Sequence, residues 1–344
     1  MKQKEWFFGT ILVFSIFLMC FIVYAYQLFY TPNLQVGTKS DVYFYIEEGE
    51  GFKSVLQRLK DEKIVHETVS FAFVSKLRGY QENVKAGRYL IRKGSSNSEA
   101  VTMFRAGIQA PVKVVFNNIR TLNDLTERLG EQLACGKPAL DKYLRSSEMQ
   151  KQYKLDTMNI ISLFMPDTYE FYWNTSPQKV AEKMHKVYQT FWNQKRVKQA
   201  KDLNLSQQEV ITLASIVQAE TAKNDEKPRV AGVYLNRLRI KMKLQADPTL
   251  VFGLRDFTLK RLLDVHKNVN SPYNTYKYEG LPPGPINMPI AQSIDAVLNF
   301  EAHKYLYFCA KDDFSGYHNF ATNYNEHLRN ARLYQKALDL KGIK

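Results

Sequence analysis

The chain has 344 residues, and its 48 lysines and arginines against 34 aspartates and glutamates leave a net charge of +14, which favours an anionic partner. Its three cysteines and six scattered histidines form neither a Cys-x-x-Cys nor a His-Glu-x-x-His pattern. We therefore expect no metal site and no cofactor.

A segment without charged residues follows the first five residues and runs from Trp6 to Phe29. As a helix it would be roughly 36 Å long, which is enough to cross a hydrocarbon core about 30 Å thick. Its far end carries an aromatic belt of the kind found at membrane interfaces: Tyr24, Tyr26 and Tyr30. The sequence Ala25-Tyr26-Gln27 is a poor cleavage site, so a retained anchor is favoured over a cleaved signal peptide.

The basic residues around this span predict its orientation. Lys2 and Lys4 precede the span, and the next basic residue is Lys39, so the N-terminus is expected in the cytoplasm and the rest outside it. An exported chain rarely meets nucleic acid, which leaves lipid headgroups and carboxylate-bearing cell-wall polymer as anionic partners. A disulfide between Cys135 and Cys309 is possible there, and the sequence leaves it open.

The exported part, about 310 residues, is too long for one ordinary core, so two domains are expected. The first is a small α+β module that ends near Gly107, and a new strand from Val112 to Phe116 puts the boundary around residue 111. The predicted strands and helical patterns of the module are, in order, Val42–Ile46, Val55–Ile64, Phe71–Leu77, Ala86–Ile91 and Ala100–Phe104.

The second domain is expected to be mainly helical. Ser206 and Glu209 form a capping-box pattern, and apolar residues follow at helical spacing, so a helix buried on one face is predicted there. Pro228 suits the first turn of the next helix, and Tyr305–Phe308 is strand-like.

Glu220 is the acidic residue of the apolar run Leu213–Thr221. Helical spacing puts it at the edge of the apolar face, where its carboxyl group would be half removed from water. Such a group tends to keep its proton and can act as an acid. A solvated rim residue or an ion-pair partner is the alternative interpretation.

Three polar segments downstream combine aromatic, amide, proline and glycine residues, a mixture that suits a groove for a sugar chain: Gln245–Thr249, Ser271–Tyr276 and Gly280–Pro285. Taken singly, each could be a rigid connection without a ligand. Asn236 and Arg237 lie beside the apolar stripe of the preceding helix, where an exposed polar face is the alternative.

The order and spacing of several motifs together resemble the membrane-anchored endolytic murein transglycosylases. The similarity extends over nearly the whole chain, including the anchor. The motifs are Phe164-Met-Pro-Asp-Thr-Tyr-Glu-Phe171, Leu213-Ala-Ser-Ile-Val-x-x-Glu-Thr221, Val233-Tyr-Leu-Asn-Arg-Leu238, Leu244-Gln-Ala-Asp-Pro-Thr249, Tyr273-Asn-Thr-Tyr276 and Gly280-Leu-Pro-Pro-Gly-Pro285.

The resemblance implies an α+β protein of the bacterial inner (plasma) membrane. Its parts would be a cytoplasmic stub with one transmembrane helix (1–33), a small LysM-like module (38–111), and a mainly helical, periplasmic catalytic domain (112–344). It also implies cleavage of nascent peptidoglycan strands between N-acetylmuramic acid and N-acetylglucosamine without water, leaving a 1,6-anhydro end. Membrane peptidoglycan synthases are the expected protein partners.

By the same resemblance, Glu220 is the catalytic acid. The candidates for contacts with the glycan are Gln245, Asp247, Thr249, Asn274, Tyr276, Asn236, Arg237 and His318. Asp247 could assist electrostatically or cap a turn before Pro248. The chain departs from the family pattern at Gln218, where many members have a second glutamate, and at Ile286–Ile290, where Asn-Pro-Gly is commoner.

Two other functions fit these residues. One is a muramidase that uses Asp247 as a second catalytic carboxylate and water as the nucleophile. The other is a non-catalytic scaffold that holds peptidoglycan in the same groove and the module.

Overall fold

The computed structural model describes residues 2–35, 40–117, 119–259 and 262–342, with side chains from Trp6 onward. These ranges contain fourteen α-helices and three two-stranded sheets, so the predicted α+β class is confirmed. The chain forms two compact units, Met1–Lys113 with Glu170–Thr175, and Val114–Tyr169 with Ser176–Lys344. Lys39 and the predicted start of the module at residue 38 lie outside the described residues.

The first unit consists of a long N-terminal helix and a small α+β module. Its elements are α1 (Lys2–Tyr30), β1 (Val42–Ile46), α2 (Phe52–Asp61), α3 (Thr68–Leu77), β2 (Gly87–Ile91) and α4 (Asn97–Ala106). Within α1, Trp6–Tyr30 is long and apolar enough to cross a membrane. The predicted strands of the module are confirmed, and they pair antiparallel with Phe44 opposite Tyr89.

The core of this module is built from alternate residues of the two strands. Phe44 and Ile46 of β1 and Tyr89 and Ile91 of β2 are buried, as the period of two along a strand requires. The helices α2, α3 and α4 contribute apolar side chains to the same cluster, and Leu28 and Phe29 of α1 pack against it. The end of α1 therefore belongs to the module's fold.

The second unit is mainly helical. Two short strands, β3 (Val112–Val115) and β4 (Thr168–Phe171), pair with each other, and both span the division between the units. The helices are α5 (Leu122–Gly130), α6 (Gly136–Leu144), α7 (Ser147–Tyr153), α8 (Pro177–Phe191), α9 (Gln194–Asp202), α10 (Gln207–Glu220), α11 (Lys227–Arg239), α12 (Asp247–Leu254), α13 (Ala291–Leu298) and α14 (Tyr324–Leu340). Two 3₁₀ turns (Ile160–Leu163 and Asp264–Asn268) and a hairpin of β5 (Tyr307–Ala310) and β6 (His318–Ala321) complete it.

The central helix of this unit is α10. The predicted capping box is confirmed, since the Ser206 hydroxyl group accepts from the Glu209 backbone and the Glu209 carboxylate accepts from the Ser206 backbone. The prediction that only one face is buried was wrong. Every residue from Val210 to Val217 is buried, because α9, α11, α12 and α13 all pack around this helix.

Other predicted features of this unit have clear outcomes. Pro228 lies in the first turn of α11, as predicted. The strand predicted at Tyr305–Phe308 is β5, which begins two residues later. Cys135 and Cys309 are both free thiols, so the disulfide that the sequence left open is not formed in this structure.

Candidate active site

Glu220 is the last residue of α10, where the buried helix reaches a cleft. Thr221 leaves the helix with an extended backbone (φ −142°, ψ 136°), which ends the helix beside the carboxyl group. The cleft has a volume of about 810 Å³, and Glu220, Asp247 and Asn287 supply acidic and amide groups to its wall. Arg120 adds a cation, and Phe252 and Phe257 add aromatic surface. This mixture of apolar and polar groups is typical of a ligand site.

A tyrosine of the neighbouring helix holds the Glu220 carboxyl group. The Tyr234 hydroxyl group donates a short hydrogen bond to Oε1 of Glu220. The Tyr234 ring is fully buried and packs edge-on against Phe308 of β5, with 5.9 Å between the ring centroids. The carboxyl group is therefore oriented by a side chain that has little freedom to move.

Burial raises the pKa of Glu220 from 4.5 to about 7, because the charged form loses its hydration. The hydrogen bond from Tyr234 opposes this rise in pKa, since it stabilises the carboxylate. The negative charge of Asp247 raises the pKa further, and the positive charge of Arg237 lowers it. Near neutral pH the group can therefore exist in both forms, as a residue that gives and takes a proton requires.

Asp247 is the second carboxylate of the cleft. It is the first residue of α12, is exposed, and accepts a hydrogen bond of 2.5 Å from the Tyr276 hydroxyl group. Burial and this contact with Asp247 both raise the pKa of Tyr276. Of the nine predicted site residues, Glu220, Asp247 and Tyr276 are thus brought together around the cleft.

Several other predicted site residues are buried and use their polar groups within the protein. Asn274 donates to the carbonyl oxygens of Lys267 and Val269, each at 2.8 Å, and its side-chain oxygen accepts from two backbone N–H groups. The Thr249 hydroxyl group is paired with Ala246 and Thr275. Thr249 thereby stabilises the start of α12, which carries Asp247, and Asn274 stabilises the turn that carries Tyr276.

Asn236 and Arg237 connect α11 to the segment before β5. Asn236 donates to the carbonyl oxygens of His303 and Tyr305 at 2.8 and 3.0 Å. Arg237 is buried and donates to the carbonyl oxygens of Leu306 and Leu244, each at 2.6 Å. The exposed polar face that was the alternative for this pair is therefore excluded for Arg237.

Gln245 directly precedes the Ala246–Asp247 segment and has a left-handed backbone (φ 50°). Its side chain is exposed, and its backbone N–H donates to the Thr275 carbonyl oxygen at 3.1 Å. Gln245 is outside the set of residues that line the cleft. The structure therefore does not place this predicted site residue on the wall of the cleft.

Gln218 attaches the Pro285–Ile290 loop to α10. Its amide nitrogen donates to Asn287 Oδ1 at 3.1 Å, and its amide oxygen accepts from the Ile290 N–H at 2.7 Å. Ser215, one helical turn earlier, accepts from the Ile286 N–H at 3.0 Å. An amide supplies both the donor and the acceptor that this loop needs, which an ionised glutamate could not do.

His318 takes part in a network of hydrogen bonds around the buried side chain of Glu226. Its Nδ1 lies 2.7 Å from Oε2 of Glu226, and its backbone N–H donates to Oε1 of the same residue at 2.8 Å. The Thr221 hydroxyl group also donates to Glu226, at 3.2 Å. Glu226, which is only 3% exposed, thereby connects the residue after Glu220 to strand β6.

Two residues of this site were missed by the sequence analysis. Tyr234 was noted only as part of the motif Val233–Leu238 and was given no role in the site. A buried tyrosine usually has a partner for its hydroxyl group, and that requirement was an available signal. Glu226 had no comparable signal, because its partners Thr221 and His318 are 5 and 92 residues away. Only the folded chain brings them together.

The raised pKa of Glu220 predicts a pH-dependent cost in stability. Between pH 4.5 and about 7 the folded protein keeps the proton of Glu220, whereas the unfolded chain has released it. The contribution of Glu220 to the free energy of unfolding is therefore fully present below pH 4.5 and is lost as the pH rises through 7. Gln is neutral throughout. As the pH rises from well below 4.5 to above 7, we therefore expect the free energy of unfolding of Glu220→Gln to increase by about 3 kcal/mol relative to that of the parent protein.

Urea unfolding of both proteins across this pH range measures the difference. Glu279→Gln, at an exposed glutamate, is the matched control and should show no such gain. A constant difference between Glu220→Gln and the parent protein at all pH values would show that burial does not raise the pKa of Glu220.

Comparisons with known proteins agree with the resemblance noted in the sequence. Proteins named endolytic murein transglycosylase from Streptococcus pneumoniae serotype 2 and from Bacillus subtilis are 25% and 24% identical to this chain. The alignments cover 89% and 81% of this chain, and 61% and 81% of those proteins. The chain thus spans only 61% of the length of the pneumococcal relative.

A solved structure and a family model complete these comparisons. The crystal structure of a YceG-like protein from Listeria monocytogenes matches with a TM-score of 0.55 and 27% identity, over 85% of this chain and 99% of that one. The model of the YceG-like family matches residues 44–333, which include the candidate active site. The chain therefore belongs to the YceG-like family.

Proposed function

We propose that this chain is an endolytic lytic transglycosylase of peptidoglycan. The observation that carries this proposal is Glu220 at the wall of the cleft, oriented by Tyr234 and with a pKa raised to about 7. Glycosidic bond cleavage needs such an acid close to the leaving oxygen. The names of the relatives support the reaction class, because they are called endolytic murein transglycosylases.

Glu220 serves in both halves of the proposed reaction. Its protonated form gives a proton to the oxygen between N-acetylmuramic acid and N-acetylglucosamine, and the bond from C1 to that oxygen breaks. The resulting carboxylate then takes the proton of the muramic C6 hydroxyl group while O6 bonds to C1. The nucleophile is part of the same sugar, so its proximity replaces an incoming water and is worth several kcal/mol.

The other residues of the site have supporting roles in this proposal. The charge of Asp247, held by Tyr276, favours the positive charge that develops at C1 and keeps Glu220 protonated before the reaction. Gln245 contacts the acetamido or hydroxyl groups of the glycan at the rim. The backbone around the site is held in place by the hydrogen bonds of Thr249, Asn274, Asn236 and Arg237. His318 acts through its contact with Glu226.

We further propose that α1 anchors the protein in the bacterial inner membrane with its N-terminus in the cytoplasm, so that residues 112–344 work on the periplasmic side. The apolar span and the lysines before it support this topology. Residues 38–111 are proposed to form a LysM-like module, which the order strand, helix, helix, strand supports. Nascent glycan strands and membrane peptidoglycan synthases are the proposed partners.

Digestion of purified sacculi tests the reaction class. The parent protein is expected to release fragments that end in 1,6-anhydro-muramic acid, which are lighter by one water than reducing ends, as measured by mass spectrometry. Glu220→Gln keeps the shape of the site and should lose cleavage by a factor of at least about 10², the lower range for loss of a positioned acid.

Each alternative function has its own outcome in this experiment. Reducing ends alone would identify a muramidase, in which Asp247→Asn should be as damaging as Glu220→Gln. Binding of sacculi without cleavage by the parent protein would identify a scaffold. Undiminished cleavage by Glu220→Gln would remove Glu220 from the mechanism.

The hydrogen bond from Tyr234 predicts a shift in the pH profile. Cleavage by the parent protein should fall tenfold per pH unit above about 7, because only the protonated acid can donate. Tyr234→Phe removes a bond that favours the carboxylate, so the pKa of Glu220 rises and the alkaline limb of kcat/KM moves up by about one pH unit.

The control for this shift is Tyr324→Phe, at an exposed tyrosine on α14. This variant should keep the profile of the parent protein. A downward shift with Tyr234→Phe would contradict the assigned direction of the hydrogen bond.

The hydrogen bonds of Glu226 predict that this residue positions the site, a role that the neighbouring Asp225 lacks. Glu226→Gln removes the charge that faces His318 and weakens the hold on Thr221, so kcat should fall by about tenfold, the effect of about 1.4 kcal/mol, with KM nearly unchanged. Asp225→Asn is the matched control, because Asp225 is exposed and bonds only to the Tyr317 hydroxyl group among the described residues.

The comparison of kcat and KM for the two variants decides the role of Glu226. Equal losses in both variants would point to a general effect of charge in this segment. A rise in KM alone would place Glu226 in glycan binding.

A further inference from the structure

The first unit carries an apolar surface that its own fold leaves uncovered. Val69, Phe73 and Leu77 follow one another at intervals of four residues on α3, and they are 75%, 49% and 61% exposed. Residues at this spacing lie on one face of a helix. The opposite face of α3 packs into the module through Phe71 and Val74.

Helix α3 is therefore apolar on both sides. A soluble module rarely exposes three large apolar side chains in a row, and such a surface indicates an interaction. The same helix contacts α1, the candidate membrane span, within one unit.

A hollow of about 650 Å³ separates parts of α1 and α3. Apolar and aromatic side chains of both helices line it, among them Phe21, Tyr24, Leu28, Val69, Phe73 and Leu77. The uncovered face of α3 is thus continuous with the apolar surface of α1.

The position of this surface along α1 can be counted from the sequence. At 1.5 Å per residue from Trp6, a hydrocarbon core about 30 Å thick ends near residue 25. Phe21 and Tyr24, which share the hollow with α3, lie at that level. A bilayer around α1 would therefore reach the exposed row of α3.

Hydrogen bonds hold α3 and α1 in this arrangement. Asn97 donates to the Leu28 carbonyl oxygen at 2.9 Å and to the Ser70 hydroxyl group at 3.1 Å. Asn33, just after α1, donates to Asn97 Oδ1 at 2.7 Å and to the Glu67 carbonyl oxygen at 2.8 Å. Both asparagines are almost completely buried, so the end of α1 is fixed to the start of α3.

We propose that α3 lies in the membrane interface, with Val69, Phe73 and Leu77 inserted among the lipid acyl chains beside α1. Lys76, exposed next to Leu77, would meet anionic headgroups. The module would thereby be held flat against the bilayer by two elements, the span and α3. This inference rests on the proposed anchoring by α1 and is independent of the proposed reaction.

Lipid quenching of a probe on the full-length protein tests this surface. Cys20, Cys135 and Cys309 are replaced by Ala, Phe73→Cys is labelled with an environment-sensitive fluorophore, and the protein is reconstituted in phosphatidylglycerol-containing vesicles. Lipids brominated on the acyl chains should then quench the emission strongly. The label on Leu77→Cys should be quenched in the same way. This second position shows whether the quenching belongs to the whole exposed face of α3 or only to residue 73.

Two control positions separate the possible failures. Ile108 is 62% exposed, follows the far end of α4, and should keep its emission when replaced by labelled cysteine. Phe14 lies within α1 and should be quenched. If Phe14→Cys were not quenched, the anchoring itself would be wrong.

With Phe14→Cys quenched, unquenched emission at both 73 and 77 overturns the proposal. Red emission typical of water would mean that the row faces solvent. Blue-shifted emission without lipid quenching would mean that another protein surface, such as a second copy, covers it.

Discussion

The candidate active site depends on the burial of one carboxyl group at the end of a helix that is itself buried on all sides. Because α9, α11, α12 and α13 surround α10, Glu220 emerges from the core directly into the cleft. Burial raises its pKa to about 7, and the hydrogen bond from Tyr234 limits that rise. A fully solvated glutamate would be ionised at neutral pH, and without Tyr234 the same group would be a weaker acid with a less defined orientation.

The polar residues of the family motifs divide into two groups around this carboxyl group. Asp247 presents its side chain to the cleft, and Tyr276 bonds to it. Most of the others, such as Asn274 and Arg237, donate to backbone carbonyl oxygens of neighbouring segments. A loop that lines a site needs such internal partners, because unpaired buried carbonyl groups would destabilise it.

Buried hydrogen bonds also join α1 to the module of the first unit. The amides of Asn33 and Asn97 bridge the end of α1, α3 and α4 through buried hydrogen bonds. Such a polar connection is directional, so it sets the angle of the long helix as well as its position. Because of this arrangement, the exposed side chains of α3, Val69, Phe73 and Leu77, continue the apolar surface of α1.

The sequence by itself determined the local structure and singled out Glu220 as the candidate acid. Alternation of apolar residues predicted β1 and β2, the Ser206–Glu209 pair predicted the start of α10, and the uncharged run predicted α1. Each of these signals is contained in one continuous stretch of the chain, which is why it can be recognised without knowledge of the fold. The position of Glu220 and the motifs around it also predicted the family that the comparisons found.

Only the tertiary structure decided how that acid is held and tuned. Tyr234 is 14 residues from Glu220, and Glu226 is 92 residues from His318, so no local pattern records either contact. The burial of α10 on all sides likewise depends on four other helices, whereas hydrophobic periodicity reports only one face at a time. The pKa of a carboxyl group follows from the atoms around it, and those atoms come from segments that only the folded chain brings together.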